Sequence, residues 1–122
     1  MTDKKMPSSH IARAFLHSCD GLKETYKSEI AFRQDVVICS ILFIFALILP
    51  VGFVYKILMI FSLGFILIAE LINTSLETTI DRISTEIHPL SKKAKDIGSA
   101  IVFLSFVQMI IVYLLSILSF FF

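Results

Sequence analysis

The chain has 122 residues, 57% of them hydrophobic, and a formal net charge of +1. That length allows one domain. A soluble domain so small has too little interior for this much apolar side chain, so the excess faces lipid or other subunits, and the near-neutral charge excludes a general attraction to nucleic acid.

The first six residues read as a loose terminus. The opening ten are polar and basic with no short apolar run behind them, so no cleavable signal segment is expected. From Ser9 to Glu29, Ile11, Ala14, Phe15, Leu22, Tyr26 and Ile30 recur near helical spacing. Arg13, Asp20, Lys23, Glu24 and Lys27 fill much of the remainder. The pattern predicts an amphipathic helix over about 9–29, lying on the cytoplasmic membrane surface. Asp20-Gly21 is the one point where it could break.

Three long stretches nearly free of charge follow. Val36 to Tyr55 is uncharged, and so is Ile57 to Ala69, which continues to Leu76 with Glu70 as its one charge. Ile97 to Phe122 carries none. A helix needs about 20 apolar residues to cross the hydrocarbon core, and backbone in lipid must satisfy itself. The sequence therefore predicts transmembrane helices over about 34–50, 54–76 and 97–120. Pro50 and Gly52 mark a tight turn between the first two. A cytoplasmic loop is expected over about 82–95, where Pro89 stops an arriving helix and holds His88 extended. Ser91 is the expected cap of the last helix. Ten of the lysines and arginines lie before the first crossing or between the second and third, and only Lys56 lies at the first hairpin. That asymmetry puts the N-terminus and the second loop in the cytoplasm. The fold class expected is thus an all-α, multi-pass membrane protein.

Chemistry concentrates on the second crossing. Glu70, Asn73, Glu77 and Asp81 are spaced i, i+3, i+7 and i+11, so they share one narrow stripe of a helix, with Glu70 and Glu77 about 10 Å apart along its axis. A charge at membrane depth is a functional candidate by default; the plainer alternative is that such groups only hydrogen-bond helices together. Three acids on one face repel unless a cation sits among them. Magnesium suits such oxygens, with water and substrate phosphates completing its shell. Glu29 supplies another carboxylate near the depth of Glu77, or is simply a solvated surface charge. Lys95 and Asp96 face the same level; Lys95 either meets a phosphate or snorkels to headgroups. No glycine-rich phosphate loop and no soluble-kinase signature is present. His10, His17 and His88 are too scattered for metal ligands, and Cys19 and Cys39 read as ordinary thiols.

Glu70-Leu-Ile-Asn73-Thr-Ser-Leu-Glu77-Thr-Thr-Ile-Asp81-Arg82 resembles the signature of the prokaryotic diacylglycerol kinase family. Glu29-Ile-Ala-Phe-Arg33-Gln34-Asp35, Glu86-Ile-His88-Pro-Leu-Ser91 and Ala94-Lys95-Asp96-Ile-Gly98-Ser99-Ala100 are similar to its other blocks. The resemblance runs from about Ile11 to the end. It implies a homotrimer of three-crossing subunits with a surface helix, in the bacterial inner membrane, with sites shared between subunits. It implies Mg-dependent transfer of the γ-phosphoryl of ATP to diacylglycerol, giving phosphatidic acid. By the same resemblance Glu70 is the general base and Glu29 and Glu77 hold the metal. ATP contacts fall at His10, His17, Glu29, Glu77, Glu86, Ile87, His88, Lys95 and Asp96. Lipid contacts fall on the surface helix at Arg13, Ala14, Phe15, Leu16, Ser18, Cys19, Lys23, Glu24, Thr25 and Tyr26. Further contacts are implied at Ala31, Phe32, Arg33, Gln34 and Asp35, and at Ile48, Leu49, Pro50, Val51 and Lys56. Glu70, Asn73 and Ser99 join them, as do Tyr113, Leu114, Leu115, Ser116, Ile117 and Leu118. The family pattern has Arg and Tyr where this chain has His10 and His17; Arg13, one turn away, offers a replacement guanidinium. An undecaprenol kinase of the same family is the nearest alternative. A small multidrug transporter, which also uses a membrane carboxylate, is the alternative from another class.

Overall fold

A computed structural model describes residues 9–122; the terminus read as loose lies outside the described residues. Four helices follow one another: α1 (His10–Ser28), α2 (Ile30–Ile48), α3 (Phe53–Ile83) and α4 (Pro89–Phe121). The last three are long and apolar enough to cross a membrane. α1 runs unbroken through Asp20-Gly21, where the Thr25 hydroxyl donates back to the Gly21 carbonyl at 2.8 Å.

Several helix ends are closed by side chains. The Ser9 side chain accepts from the Ala12 amide at the start of α1. Glu29, in extended conformation, ends α1 and begins α2. Arg33 reaches back from α2 to donate to the Tyr26 and Lys27 carbonyls at 2.7 and 2.8 Å, satisfying orphan acceptors at the end of α1. Lys56 repeats the device from α3. Its ammonium donates to the Ala46, Leu47 and Leu49 carbonyls at 3.0, 2.8 and 2.7 Å, closing the end of α2.

The helices overrun the uncharged stretches. α3 continues past Leu76 to Ile83, where Ser84 turns extended well before Pro89. α4 begins at Pro89 with His88 as its cap, not at Ser91. Proline is at home in the first turn because its missing N–H would have had no partner there, and the His88 Nδ1 accepts from the Leu90 amide at 3.0 Å. The backbone between α3 and α4 is non-helical only over 84–88.

α3 is central, packing against α2 on one side and α4 on the other. Phe32, Asp35, Cys39 and Ala46 form the inward edge of α2; Met59, Leu63, Ile66 and Ala69 fill α3's; Met109, Tyr113 and Ser116 complete the core from α4. The Tyr113 hydroxyl donates to the Leu42 carbonyl at 2.9 Å, joining α4 directly to α2. Large apolar side chains such as Phe61 and Phe103 point outward, about two thirds exposed, as helices solvated by lipid or by neighbouring subunits require.

Candidate active site

The carboxylate stripe of α3 runs along the seams with α2 and α4. Glu70 is buried, 7% exposed, and so is Asp35 of α2, also 7% exposed. Their side chains are in hydrogen-bonding contact, and Glu77 and Glu29 lie within electrostatic range of Glu70. Two carboxyls in contact need a shared proton or a nearby cation. The second Asp35 oxygen, Oδ2, is buried without a partner.

One turn on, Asn73 donates from Nδ2 to the Glu77 carboxylate at 3.2 Å, while its Oδ1 is buried and unpartnered. Asn73 rests against Gly98 of α4, where a methyl group would overlap Oδ1 and sit 3.3 Å from Cγ. Glu29, half-buried at the α1–α2 junction, is fixed by its backbone. Its N–H donates to the Thr25 carbonyl at 2.9 Å and its own carbonyl accepts from the Arg33 amide at 3.3 Å.

Asp81, the fourth member of the stripe, has a different role. It accepts from the Lys95 ammonium of α4 at 2.9 Å, which also lies within electrostatic range of Glu77. Lys92 and Asp96 pair along α4 at 2.6 Å. Asp81, Glu86, Ile87, His88, Lys95 and Asp96 thereby line one cavity of about 260 Å³ between the ends of α3 and α4. Its lining supplies acceptors, an imidazole and the ammonium groups of Lys92 and Lys95. His10 and His17 stand exposed on α1, outside that cavity.

The candidate lipid contacts are dispersed. Ser18, Glu24 and Thr25 face Thr74 and Thr78 of α3 across a groove of about 750 Å³, whereas Ala14, Phe15, Leu16, Cys19, Lys23 and Tyr26 are exposed along α1. Phe32 and Asp35 turn inward beside exposed Ala31 and Gln34. On α4, Leu114, Leu115 and Leu118 point outward, while Tyr113 and Ser116 face the core. Lys56 is engaged by three carbonyls at the opposite end of α2 from Glu29, and Ser99 is exposed next to Gly98.

A metal would meet hard oxygen here. Among the described residues no three acidic, histidine or cysteine side chains form a ready-made cage. The single thiol on the inward edge of α2, Cys39, is turned to the Leu63 carbonyl at 3.8 Å. Carboxylates in range of one another, amid buried oxygens lacking partners, fit magnesium, which keeps one or two protein carboxylates and completes its shell with water and phosphate. Asp35 as the partner of Glu70 was not legible as such, although Phe32, Asp35 and Cys39 follow helical spacing on one face.

The sequence profile of the family described as "Prokaryotic diacylglycerol kinase" matches residues 16–117. The chain is 40% identical over 97 residues to a protein of Haemophilus influenzae named "Diacylglycerol kinase", covering 80% of this chain and 82% of that one. A Pseudomonas aeruginosa protein of the same name is 42% identical over 95 residues, covering 78% and 77%. One from Escherichia coli K12, likewise so named, is 34% identical over 105 residues, covering 86% of each.

Proposed function

The chain belongs to the prokaryotic diacylglycerol kinase family, and on that premise we propose that it transfers the γ-phosphoryl of MgATP to the free hydroxyl of diacylglycerol, giving phosphatidic acid and ADP. The observation that carries this reading is the gathering of Glu70, Asp35 and Glu77 at the helix seams, with Glu77 in electrostatic range of Lys95, which lines a cavity together with His88. Phosphoryl transfer asks for positioning and charge stabilisation more than covalent catalysis.

Glu70 takes the proton of the lipid hydroxyl as that oxygen bonds to the γ-phosphorus and the bridging P–O bond to ADP breaks. Glu29 and Glu77 would hold Mg2+, which when bound neutralises charge on the phosphate oxygens. Asn73 orients Glu77. Glu86, Ile87, His88, Lys95 and Asp96 receive the nucleotide from the cytoplasm, with Lys95 as the phosphate-facing cation. Lipid arrives sideways from the bilayer, along α1. Its exposed Ile11, Phe15, Leu22 and Tyr26 support a helix lying on the cytoplasmic surface of the inner membrane. A homotrimer accounts for the open site, since one chain of this size cannot enclose both substrates. The family match removes the transporter alternative.

The test is transfer of labelled γ-phosphate in mixed micelles offering diacylglycerol and undecaprenol together. Phosphatidic acid is expected from the parent, and Glu70→Gln is expected to lower kcat at least about 100-fold, the lower range for a general base. Labelling of undecaprenol instead would change the lipid and keep the mechanism. Full turnover by a folded Glu70→Gln variant would remove Glu70 as the base.

A further inference from the structure

Three glycines lie inside helices, at Gly21, Gly64 and Gly98. Glycine lowers helix stability relative to alanine, so each position needs a reason. At Gly21 and Gly64 an added methyl would meet nothing within 4 Å; at Gly98 it would run into Asn73 Oδ1. Gly98 is buried, and the third neighbour of such a methyl, Leu76 Cδ1, would be at an ordinary 3.5 Å. The collision is thus confined to the amide that holds Glu77.

We propose that Gly98 is a positioning residue for the metal-binding carboxylate: its bare Cα seats the Asn73 amide against α4, and the seated amide fixes Glu77 through the Nδ2–Oε1 hydrogen bond. Asn73 Oδ1, buried with no partner, is the visible cost of this arrangement, eased at most by a weak contact from the glycine Cα–H. The atom that a methyl would strike is the free end of a rotatable side chain. An alanine here therefore displaces the amide and leaves the helices where they are, so the damage falls on Glu77. The link to metal rests on the kinase reading above; the seat itself does not.

The sequence contains a single asparagine, Asn73, so [15N]Asn labelling of the full chain in micelles reports this one side-chain amide. In the parent its two Nδ2 protons are expected to be well separated, one shifted downfield by the carboxylate. In Gly98→Ala they are expected to converge toward a freely hydrated amide, while Gly64→Ala leaves them unchanged. Gly98→Ala is also expected to raise the Mg2+ concentration for half-maximal activity by about 10- to 100-fold, the usual range for losing the partner of a metal ligand. In an Asn73→Ala background the same substitution is expected to add nothing. An unmoved amide in Gly98→Ala overturns the seat whatever the kinetics. A moved amide with unmoved Mg2+ dependence, or equal effects of Gly98→Ala in both backgrounds, overturns the link to Glu77. If Gly98→Ala alone does not fold, recovery of folded protein by Asn73→Ala/Gly98→Ala supports the seat, and failure to recover overturns it. An inactive parent would count against the kinase reading alone, and the amide comparison would still decide the seat.

Discussion

Lys56→Met is expected to destabilise the protein while leaving its catalytic constants unchanged. The Lys56 ammonium donates to three carbonyls at the end of α2, all within 3.0 Å, and the residue is half-buried at the tip of the hairpin. A hydrogen bond to a charged group is worth about 1.5–3 kcal/mol. The Leu47 bond is solvent-exposed, and its carbonyl regains water when the lysine is lost; the Ala46 and Leu49 bonds are partly buried. Methionine keeps the apolar stem and its packing, so the net loss is that of one to two charged bonds, about 1.5–6 kcal/mol. Reversible unfolding in mixed micelles, followed by circular dichroism, measures this directly. Lys56→Arg is expected to retain most of the stability, since guanidinium also reaches carbonyls. A lysine serving as a lipid contact, as the family resemblance implies, would instead raise KM for diacylglycerol without moving the unfolding midpoint. An unchanged midpoint in Lys56→Met would refute the capping role.

Two further outcomes follow from cross-helix bonds. Arg33→Ala removes both donors to the Tyr26 and Lys27 carbonyls and is expected to loosen the end of α1 and the Glu29 junction. Amide hydrogen exchange over 24–30 should accelerate while α3 and α4 stay protected, and unaltered exchange there would show that α1 is held by other means. Tyr113→Phe deletes the bond to the Leu42 carbonyl and is expected to lower the unfolding free energy by about 1 kcal/mol at unchanged activity; a loss of turnover at full stability would instead place Tyr113 against substrate.

The three long apolar helices and the helical segment before them are legible in the sequence because lipid tolerates so few charges: gaps between charged residues outline the crossings. Helix ends are not legible in this way. Beyond Leu76, α3 leaves the apolar zone yet keeps its backbone bonds to Ile83, with the Thr79 hydroxyl sharing the Ser75 carbonyl at 2.8 Å. α4 starts early because Pro89 suits a first turn and Lys92–Asp96 supports the next. The acidic stripe is legible from spacing alone, since its members lie on one chain segment. The partners of its members are not: Asp35 for Glu70, Gly98 for Asn73 and Lys95 for Asp81 each come from another helix. The same limit hid the roles of Arg33 and Lys56, whose acceptors are backbone atoms that no side-chain pattern reports.

Polar satisfaction divides this molecule into two zones. Away from the stripe, the buried or half-buried hydroxyls turn back on carbonyls: Ser62 on Met59, Ser105 on Val102, Ser116 on Val112 and Ser119 on Ser116, all between 2.6 and 2.8 Å. The C-terminal ends of α1 and α2 are closed by cations, Arg33 and Lys56, reaching back from the next helix. A membrane interior enforces such self-sufficiency, because no water is at hand to complete a missing bond. Among the described residues, the buried side-chain oxygens without a partner are Asp35 Oδ2 and Asn73 Oδ1; the first belongs to the residue that contacts Glu70, the second to the residue that bonds Glu77. Among the described residues, the deficit in buried side-chain hydrogen bonds thus falls where substrate and metal are proposed to bind. On the proposed reaction these unpaired atoms belong to the site, and Gly98 gives up helix stability to keep one of them, on Asn73, in place.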